Sequence, residues 1–289
     1  MYAYLKATAE VKRSANKDIT STRHLRSVFK DSVMNDLTGS DIRAYISKRK
    51  EEVSNASINR ELALFSSAIN YANREWEWNL PNVVAGKKLK EPPGRTRWIT
   101  YTESAVLLEK ASDLIRSPHL HDFISLALYT GCRSQEMLGL TWSRVNLQAD
   151  IFYLEADQTK SGKCRSIPLN RIARSAIQRR ARFRALHCED SPWVFCNRKG
   201  ERIQSVKKSF ATACKNAGIE DFRIHDMRHT CAAWLVSAGA ALAEVRDLLG
   251  HASITMTERY AHLSPENVRN AVGRLDNSRS RYGHAGEGQ

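Results

Sequence analysis

One stretch rich in proline, glycine and basic residues interrupts the chain and limits how it can fold. Residues 86–97 are Gly-Lys-Lys-Leu-Lys-Glu-Pro-Pro-Gly-Arg-Thr-Arg, with five basic residues, two prolines and two glycines. Proline restricts its own backbone and that of the residue before it, so a helix cannot continue through this stretch. We therefore predict a basic, extended linker at 87–97 between two domains. The length of 289 residues allows each domain its own core.

The residues before this linker carry a helical pattern. Their apolar positions recur three or four residues apart, for example Ile58, Leu62, Phe65 and Ile69. No strand-like alternation interrupts this pattern between about 20 and 80. Residues 38–41, Thr-Gly-Ser-Asp, are typical of a turn followed by a helix N-cap, and residues 55–58 give a similar signal. We predict an all-helical domain over residues 1–86.

Residues 98–276 predict helices around one small sheet. Residues 100–103 form a capping box for a helix to about Arg116, and a second helix begins at Pro118 and ends at Gly131. Strand-like runs at 151–155 and 165–169 are joined by 159–163, whose glycine suits a hairpin turn. Further helices are predicted at about 170–186, 205–217, 226–238, 241–249, 254–261 and 265–274. The fold class is mainly α with a small antiparallel β-sheet (α+β), followed by a mobile tail at 277–289.

Charge and cysteine usage limit the partners and the compartment. The chain has 45 Lys and Arg against 31 Asp and Glu, a formal charge of +14, which favours nucleic acid first and an anionic membrane surface second. No run of 18 apolar residues could span a bilayer, and residues 1–8 do not resemble a secretory signal, so we expect a cytoplasmic protein. The six cysteines contain no Cys-x-x-Cys pair, which favours free thiols over a zinc ribbon or a disulfide framework.

His225, Arg228 and His229 form the first candidate site. Their spacing of i, i+3 and i+4 places them on one face of a helix, near an N-terminus that favours an anion such as phosphate. A zinc metalloprotease helix is the competing interpretation. That chemistry needs a Glu after the first His, where Asp226 stands, and Arg228 would lie beside a dication. We predict no metal, and a structural role for the histidines stays open.

Three further residues could act on an anion. Arg133 follows the helix stop at Gly131, and Glu136 one turn later can orient its guanidinium for bidentate contact with phosphoryl oxygens. A surface ion pair between Arg133 and Glu136 is the simpler alternative. Lys160 lies on the predicted hairpin turn, where its ammonium could reach a ligand or remain solvated. Tyr260 alone would be interpreted as a packing residue.

Together, four segments resemble the catalytic domain of the tyrosine recombinases, the phage integrase family, in both order and spacing. They are Thr130-Gly-Cys-Arg-Ser-Gln-Glu136, Thr159-Lys-Ser-Gly-Lys163, His225-Asp-Met-Arg-His-Thr230 and Leu248-Leu-Gly-His-Ala-Ser-Ile-Thr-Met-Thr-Glu-Arg-Tyr260. Residues 20–86 resemble the helical core-binding domain of that family. The resemblance implies a DNA-binding domain at 1–86 and a recombinase catalytic domain at 98–276. Many integrases also carry an N-terminal arm-binding domain, for which we expect too few residues here.

The resemblance implies which residues are catalytic. They are Arg133, Lys160, His225, Arg228, His251 and the nucleophile Tyr260. The two arginines would hold the non-bridging oxygens of a phosphodiester, and His251 would donate a further hydrogen bond. His225 is the candidate acceptor of the Tyr260 proton, Lys160 the donor to the leaving 5′ oxygen, and Glu136 orients Arg133. The product would be a 3′-phosphotyrosyl bond, which needs neither a metal nor a nucleotide cofactor.

The resemblance also implies partners. Double-stranded DNA would be held partly by the linker residues Lys87, Lys88, Lys90, Arg95 and Arg97, and the arginine-rich helix at 171–184 is either a second DNA contact or a solvated face. The family's reaction implies a homotetramer on DNA, and an accessory DNA-bending or excisionase protein stays open. The predicted function is integration or excision of phage or other mobile-element DNA.

Two alternatives to a recombinase stay open beside the zinc enzyme. A type IB topoisomerase would use the same tyrosine chemistry, and a DNA-binding regulator would retain the fold without cleavage. The recombinase interpretation requires the guanidiniums of Arg133 and Arg228 to converge beside the Tyr260 hydroxyl. It also requires that this hydroxyl not be enclosed in an apolar interior.

Overall fold

The structure, a computed structural model, describes residues 1–12, 15–92, 94–155, 164–263 and 272–273. The chain divides into two compact units, Met1–Gly94 and Arg95–Gln289. This division falls inside the segment predicted as a linker, and the domain limits at 86 and 98 stay predictions. Lys160 with the rest of the predicted hairpin turn, the tail at 277–289 and most of the helix predicted at 265–274 lie outside the described residues.

The described part of the first unit is helical, as the apolar spacing predicted. Its helices are α1 (Tyr2–Thr8), α2 (Ala15–Phe29), α3 (Gly39–Lys50) and α4 (Asn55–Glu75). Helix α3 begins with the predicted cap, because the Asp41 carboxylate accepts from the Thr38 N–H at 2.8 Å and the Thr38 hydroxyl accepts from the Asp41 N–H. The buried residues of these helices form one core that includes Leu25, Ile42, Tyr45, Ile58, Leu62, Phe65 and Ile69.

A buried ion pair joins α3 to α4. Arg49 Nη2 lies 2.6 Å from Glu61 Oε1, and the Tyr45 hydroxyl donates to Glu61 Oε2 at 2.5 Å. A buried charge is tolerated when it is paired and hydrogen-bonded, as Glu61 is here. The three side chains therefore fix the separation of the two helices.

The first half of the predicted linker is attached to α4. The Asn59 side chain accepts from the Leu89 N–H at 2.8 Å and donates to the Leu89 carbonyl at 2.9 Å. Asn55 donates to the Lys90 carbonyl at 2.8 Å. These residues contain no helix or strand, and two asparagines on α4 satisfy part of their backbone hydrogen bonding.

The described part of the second unit combines helices with a small sheet and confirms the predicted fold class. Its helices are α5 (Tyr101–Ser112), α6 (Leu120–Thr130), α7 (Ser134–Leu138), α8 (Arg171–His187), α9 (Lys207–Asn216), α10 (Asp226–Ser237), α11 (Leu242–Leu249) and α12 (Thr255–Glu258). Its strands are β1 (Val145–Asn146), β2 (Ile151–Leu154) and β3 (Arg165–Pro168). They form an antiparallel sheet in the order β1-β2-β3, with Phe152 opposite Ile167. The two-residue strand β1 was not predicted, since it is too short to show alternation.

Helix α6 lies at the centre of the second unit. Phe123, Ile124, Leu126 and Leu128 have no exposed surface, and the helix packs against α8 and α10. It ends at Gly131, whose φ of 64° is the left-handed conformation that glycine adopts without strain. A rigid, buried helix thus presents Gly131 and the residues that follow it at a fixed position.

Helix α8 uses several of its arginines for packing. Arg180 is buried and donates to the carbonyls of Val194 and Cys196. Arg179 Nε lies 2.6 Å from Asp122 Oδ1, and Arg174 Nε lies 2.6 Å from Asp150 Oδ1. Three arginines of α8 therefore already meet carboxylates or carbonyls, whereas Arg171 and Arg182 are exposed, and the choice between a DNA contact and a solvated face stays a prediction.

Three further expectations concern the cysteines, metal binding and membrane-spanning helices. All six cysteines are free thiols, as predicted. No described helix has the length and apolar character needed to cross a membrane. Within the described ranges, no three His, Cys, Asp or Glu side chains are grouped so that they could hold a metal ion.

Candidate active site

The turn from α6 into α7 fixes Arg133. Its N–H donates to Glu136 Oε2 at 2.8 Å, and its Nη1 donates to Glu136 Oε1 at 2.8 Å. Glu136 is only 2% exposed, so both bonds are shielded from water. The carboxylate holds the backbone and the guanidinium of Arg133 at once, which is the contact expected from their spacing.

A third residue, Arg165 at the start of β3, joins this pair. Its Nη2 donates to Glu136 Oε2 at 2.8 Å, and its Nη1 donates to the Leu249 carbonyl at 2.7 Å. The sequence carried no signal for this role, since Arg165 appeared only as the first residue of a strand-like run. Glu136 therefore lies between two guanidiniums and neutralises only one of them.

Arg228, in the first turn of α10, brings another buried positive charge. The residue is 3% exposed, and its Nη1 donates to the Gly131 carbonyl at 2.8 Å. Its Nη2 is buried without a hydrogen-bond partner among the described residues. Burial, followed by the charges of Arg133 and Arg165, lowers the pKa of Arg228 to about 10, so the group stays protonated at neutral pH.

These contacts make a place for an anion. Two guanidiniums contact the Glu136 carboxylate, and Arg228 lies close enough for their charges to lower its pKa. A buried donor with no partner, such as Arg228 Nη2, normally has an explanation such as a ligand or an ion. Charge-assisted bonds from arginine to a phosphate oxygen are short and strong. A phosphate has the negative charge and the acceptor oxygens that these donors call for.

His251 lies beside the arginines. Its Nδ1 is 2.8 Å from the Thr257 hydroxyl. Burial, followed by the charges of Arg228 and Arg133, lowers the pKa of His251 to about 4. The imidazole is therefore neutral at pH 7, and if Nδ1 accepts from Thr257, Nε2 carries the proton and can donate to an anion.

Tyr260 departs from the sequence-based expectation. It follows α12 instead of lying within a helix over 254–261, and its side chain is 1% exposed, packed against α10 and α11. Its hydroxyl contacts His229 Nδ1. The hydroxyl is therefore enclosed but paired with an imidazole, so the requirement that it not lie in an apolar interior is met by this one polar contact.

His229 contacts the Tyr260 hydroxyl, whereas His225, the acceptor implied by the resemblance, lines a cleft beside Arg133 and Arg228. Burial, followed by the charge of His225, lowers the pKa of His229 to about 4, so its ring is neutral at pH 7. The His225 ring lies 5.1 Å from the His229 ring and is exposed. Burial raises the pKa of Tyr260 to about 12, against the opposing charges of Arg259 and Arg228. The His-x-x-Arg-His spacing had already grouped His229 with the phosphate-binding face.

A cleft of about 630 Å³ lies beside the two arginines of the anion site. Its lining includes Arg133, His225 and Arg228, together with Lys207 and Arg223. Positive charge therefore continues from the anion site along the cleft. This arrangement suits a polyanion better than an isolated phosphate.

The predicted DNA-binding residues of 87–97 separate into two groups. Lys88 and Lys90 are exposed, and Lys87 and Lys88 line a groove of about 400 Å³ in the first unit. Arg95 Nη2 instead lies 2.9 Å from Asp226 Oδ2, and Arg97 Nη2 lies 3.0 Å from Glu103 Oε1. The lysines are available for phosphate contacts, whereas the two arginines already have carboxylate partners.

The chain is similar in sequence to integrases and DNA recombinases. Residues 97–267 match the phage integrase family. The integrase of Salmonella phage P22 is 28% identical over 229 residues, 74% of this chain and 56% of that protein. A shufflon-specific DNA recombinase of Escherichia coli is 28% identical over 242 residues, 80% of this chain and 59% of that protein. The chain spans little more than half the length of these relatives.

Solved structures show the same fold. A Tn1549 transposon integrase in complex with a circular intermediate DNA matches with a TM-score of 0.77 at 20% identity, over 94% of this chain and 97% of that one. A lambda integrase dimer bound to a core site matches with a TM-score of 0.74 at 22% identity, over 90% of this chain and 93% of that one.

Proposed function

The chain belongs to the phage integrase family, and from that premise we propose that it is a tyrosine-type site-specific recombinase that cuts and rejoins DNA strands. The observation that carries the proposal is the convergence of Arg133, Arg228 and His251 on one site with an unpartnered buried donor. A phosphodiester is anionic and is attacked slowly. Positive charge and donors placed before the reaction stabilise its pentavalent transition state.

Arg228 and Arg133 hold the non-bridging oxygens, with His251 as a further donor. The Arg228 Nη2 donor needs no reorganisation, since no described protein group has to release it. Removal of one such preorganised donor typically costs about 3–4 kcal/mol of transition-state stabilisation.

Tyr260 is the nucleophile, and His229 takes its proton. The tyrosine O–H bond breaks as the Nδ1–H bond of His229 forms, and the phenolate oxygen bonds to phosphorus. The bond from phosphorus to the 5′ oxygen breaks, and Lys160 supplies the proton to that oxygen. Because Tyr260 is 1% exposed, the segment around α12 has to move before a phosphate can reach the hydroxyl.

The product is a 3′-phosphotyrosyl bond with a free 5′ hydroxyl. The bond energy is kept for rejoining, so the reaction needs no metal and no nucleotide. DNA is held by the cleft of the second unit and by Lys87, Lys88 and Lys90 of the first.

We extend the proposal to assembly and role. A lambda integrase of the same fold was solved as a tetramer bound to a Holliday junction, which supports four copies of this chain acting on two duplexes. The role is integration or excision of phage or other mobile-element DNA, carried out on DNA in the cytoplasm, with an accessory bending or excisionase protein still open.

Covalent capture tests the function and identifies the DNA site in the same experiment. The protein is incubated with fragmented DNA of the source cell, and complexes that survive detergent are isolated and sequenced at the attached 3′ end. Nicked oligonucleotides built on the captured sequence then trap the adduct. We expect adducts with the wild-type chain, none with Tyr260→Phe, and wild-type yield with Tyr153→Phe, which changes an exposed tyrosine of β2.

Each other result favours a named alternative. DNA binding without an adduct would favour a regulator that does not cleave. Adducts on any sequence, with relaxation of plasmids that carry no paired sites, would favour a topoisomerase. Adducts that persist in Tyr260→Phe would refute Tyr260 as the nucleophile.

A further inference from the structure

Arg165 connects three parts of the second unit that are distant in sequence. The residue begins β3, and its guanidinium donates to Glu136 on α7 at 2.8 Å and to the Leu249 carbonyl at the end of α11 at 2.7 Å. Glu136 in turn holds Arg133, and Leu249 is two residues before His251. One planar guanidinium thus spans the two sides of the anion site.

We propose that Arg165 is a positioning residue that sets the distance between Arg133 and His251. This inference rests on the proposed function, since it concerns the same site. Arg165 need not touch the reacting atoms, because it acts through Glu136 and through the end of α11. Its side chain is 10% exposed, so water competes little for either bond.

Gly250 supports the inference independently. Its φ is 65°, and a Cβ built there would lie 1.9 Å from Arg165 Nη1. The three atoms nearest to that Cβ all belong to Arg165. Any side chain at position 250 would therefore displace the guanidinium from the Leu249 carbonyl. The absence of a Cβ is what lets Arg165 reach α11.

Loss of Arg165 would loosen the site on both sides. Glu136 would keep one charged partner instead of two, and the Leu249 carbonyl would lose its donor. A displacement of about 1 Å in a catalytic group can cost on the order of 10²-fold in rate. Lysine cannot replace the planar fork, because a single ammonium does not present two donors in fixed directions.

Single-turnover cleavage of the captured oligonucleotide, at saturating protein, provides the measurement. We expect Arg165→Ala to lower the rate constant on the order of 10²-fold, with DNA affinity changed less than about 3-fold. Arg165→Lys should also be impaired. Arg202→Ala is the matched control, since Arg202 donates to the Leu138 carbonyl at the end of α7 without contacting Glu136 or Leu249. It should cleave at the wild-type rate.

A double-mutant cycle with Gly250→Ala separates positioning from general damage. The backbone strain at φ 65° is the same in both backgrounds and cancels in the cycle. Gly250→Ala should slow cleavage strongly in the wild-type background and add less than about 3-fold to Arg165→Ala. The melting temperatures of the wild type, the two single variants and the double variant should show the same pattern, with a smaller effect of Gly250→Ala when Arg165 is already alanine.

Three results would overturn the inference. The first is wild-type cleavage by Arg165→Ala, and the second is an equal effect of Gly250→Ala in both backgrounds. A lower DNA affinity with an unchanged rate constant would show a plain DNA contact and would also overturn it. Failure of the wild-type chain to form any adduct would instead refute the proposed function, while the coupling of Arg165 with Gly250 in melting temperature would still decide the positioning claim.

Discussion

At the scale of single residues, Glu136 shows how one carboxylate organises several cations. It accepts from the backbone and side chain of Arg133 and from the side chain of Arg165. Without it, those guanidiniums would repel one another in a buried place. The carboxylate thus keeps both arginines at the site by offsetting their repulsion, although it also removes one unit of positive charge.

Glu136→Gln tests this role. We expect the free energy of unfolding to fall by about 3 kcal/mol, because one partner of a buried charge network is removed. Urea denaturation provides the measurement. The control is Glu155→Gln, whose carboxylate is 55% exposed in its pair with Arg144 and should change stability by about 1 kcal/mol or less. Equal effects in the two variants would contradict a special role for Glu136.

At the scale of elements, the end of α6 determines where Arg133 lies. Gly131 turns the chain at φ 64°, and its carbonyl accepts from Arg228. A Cβ at this position would lie 2.2 Å from Leu249 Cδ2. The close approach of α6 to α11 therefore requires that residue 131 have no side chain, in addition to its left-handed backbone conformation.

Gly131→Ala should lower the free energy of unfolding by more than the strain of its left-handed backbone conformation alone explains. Gly218 has a φ of 66°, and a methyl group added there would meet no atom within 4 Å, so Gly218→Ala isolates the backbone strain, about 1–2 kcal/mol. We expect Gly131→Ala to lose about 1–3 kcal/mol more, from displacement of Leu249 in a packed core. Unfolding free energies of the two variants give this difference directly. A similar loss in both would show that the contact with Leu249 is unimportant.

At the scale of the whole molecule, the chain has a formal charge of +14, but its basic side chains are not equally free to bind DNA. Many basic side chains on α8 and at 95–97 already meet carboxylates or carbonyls. Lys88 and Lys90 remain exposed. The count of 45 basic residues therefore overstates the number that are free to bind DNA phosphates.

The salt dependence of DNA binding shows how many basic residues contact DNA phosphates. Lys87→Ala and Lys88→Ala should each reduce the slope of log affinity against log salt concentration by roughly 0.9, since each releases one phosphate contact. Lys110→Ala is the control, because its ammonium lies 2.7 Å from Glu109 and 3.8 Å from Asp113. Binding is measured by fluorescence anisotropy over a range of salt. Unchanged slopes for Lys87→Ala and Lys88→Ala would remove both lysines from the DNA contact.

Local signals in the sequence determined the elements of this protein. Helix caps at Thr38 and Thr100, the glycine stop at Gly131 and the apolar spacing of α4 all act within a few residues, so the linear order contains them. The motif residues Arg133, Arg228 and His251 were assigned to a common site through the resemblance of their segments to the phage integrase family.

Tertiary structure alone decided which of these groups meet in space. The contact of His229 with Tyr260, the enclosure of that tyrosine and the reach of Arg165 to Leu249 join residues 31 and 84 positions apart. The physical reason is that hydrogen bonds and Coulomb forces depend on distance and burial, and the positions of residues along a chain do not specify either one.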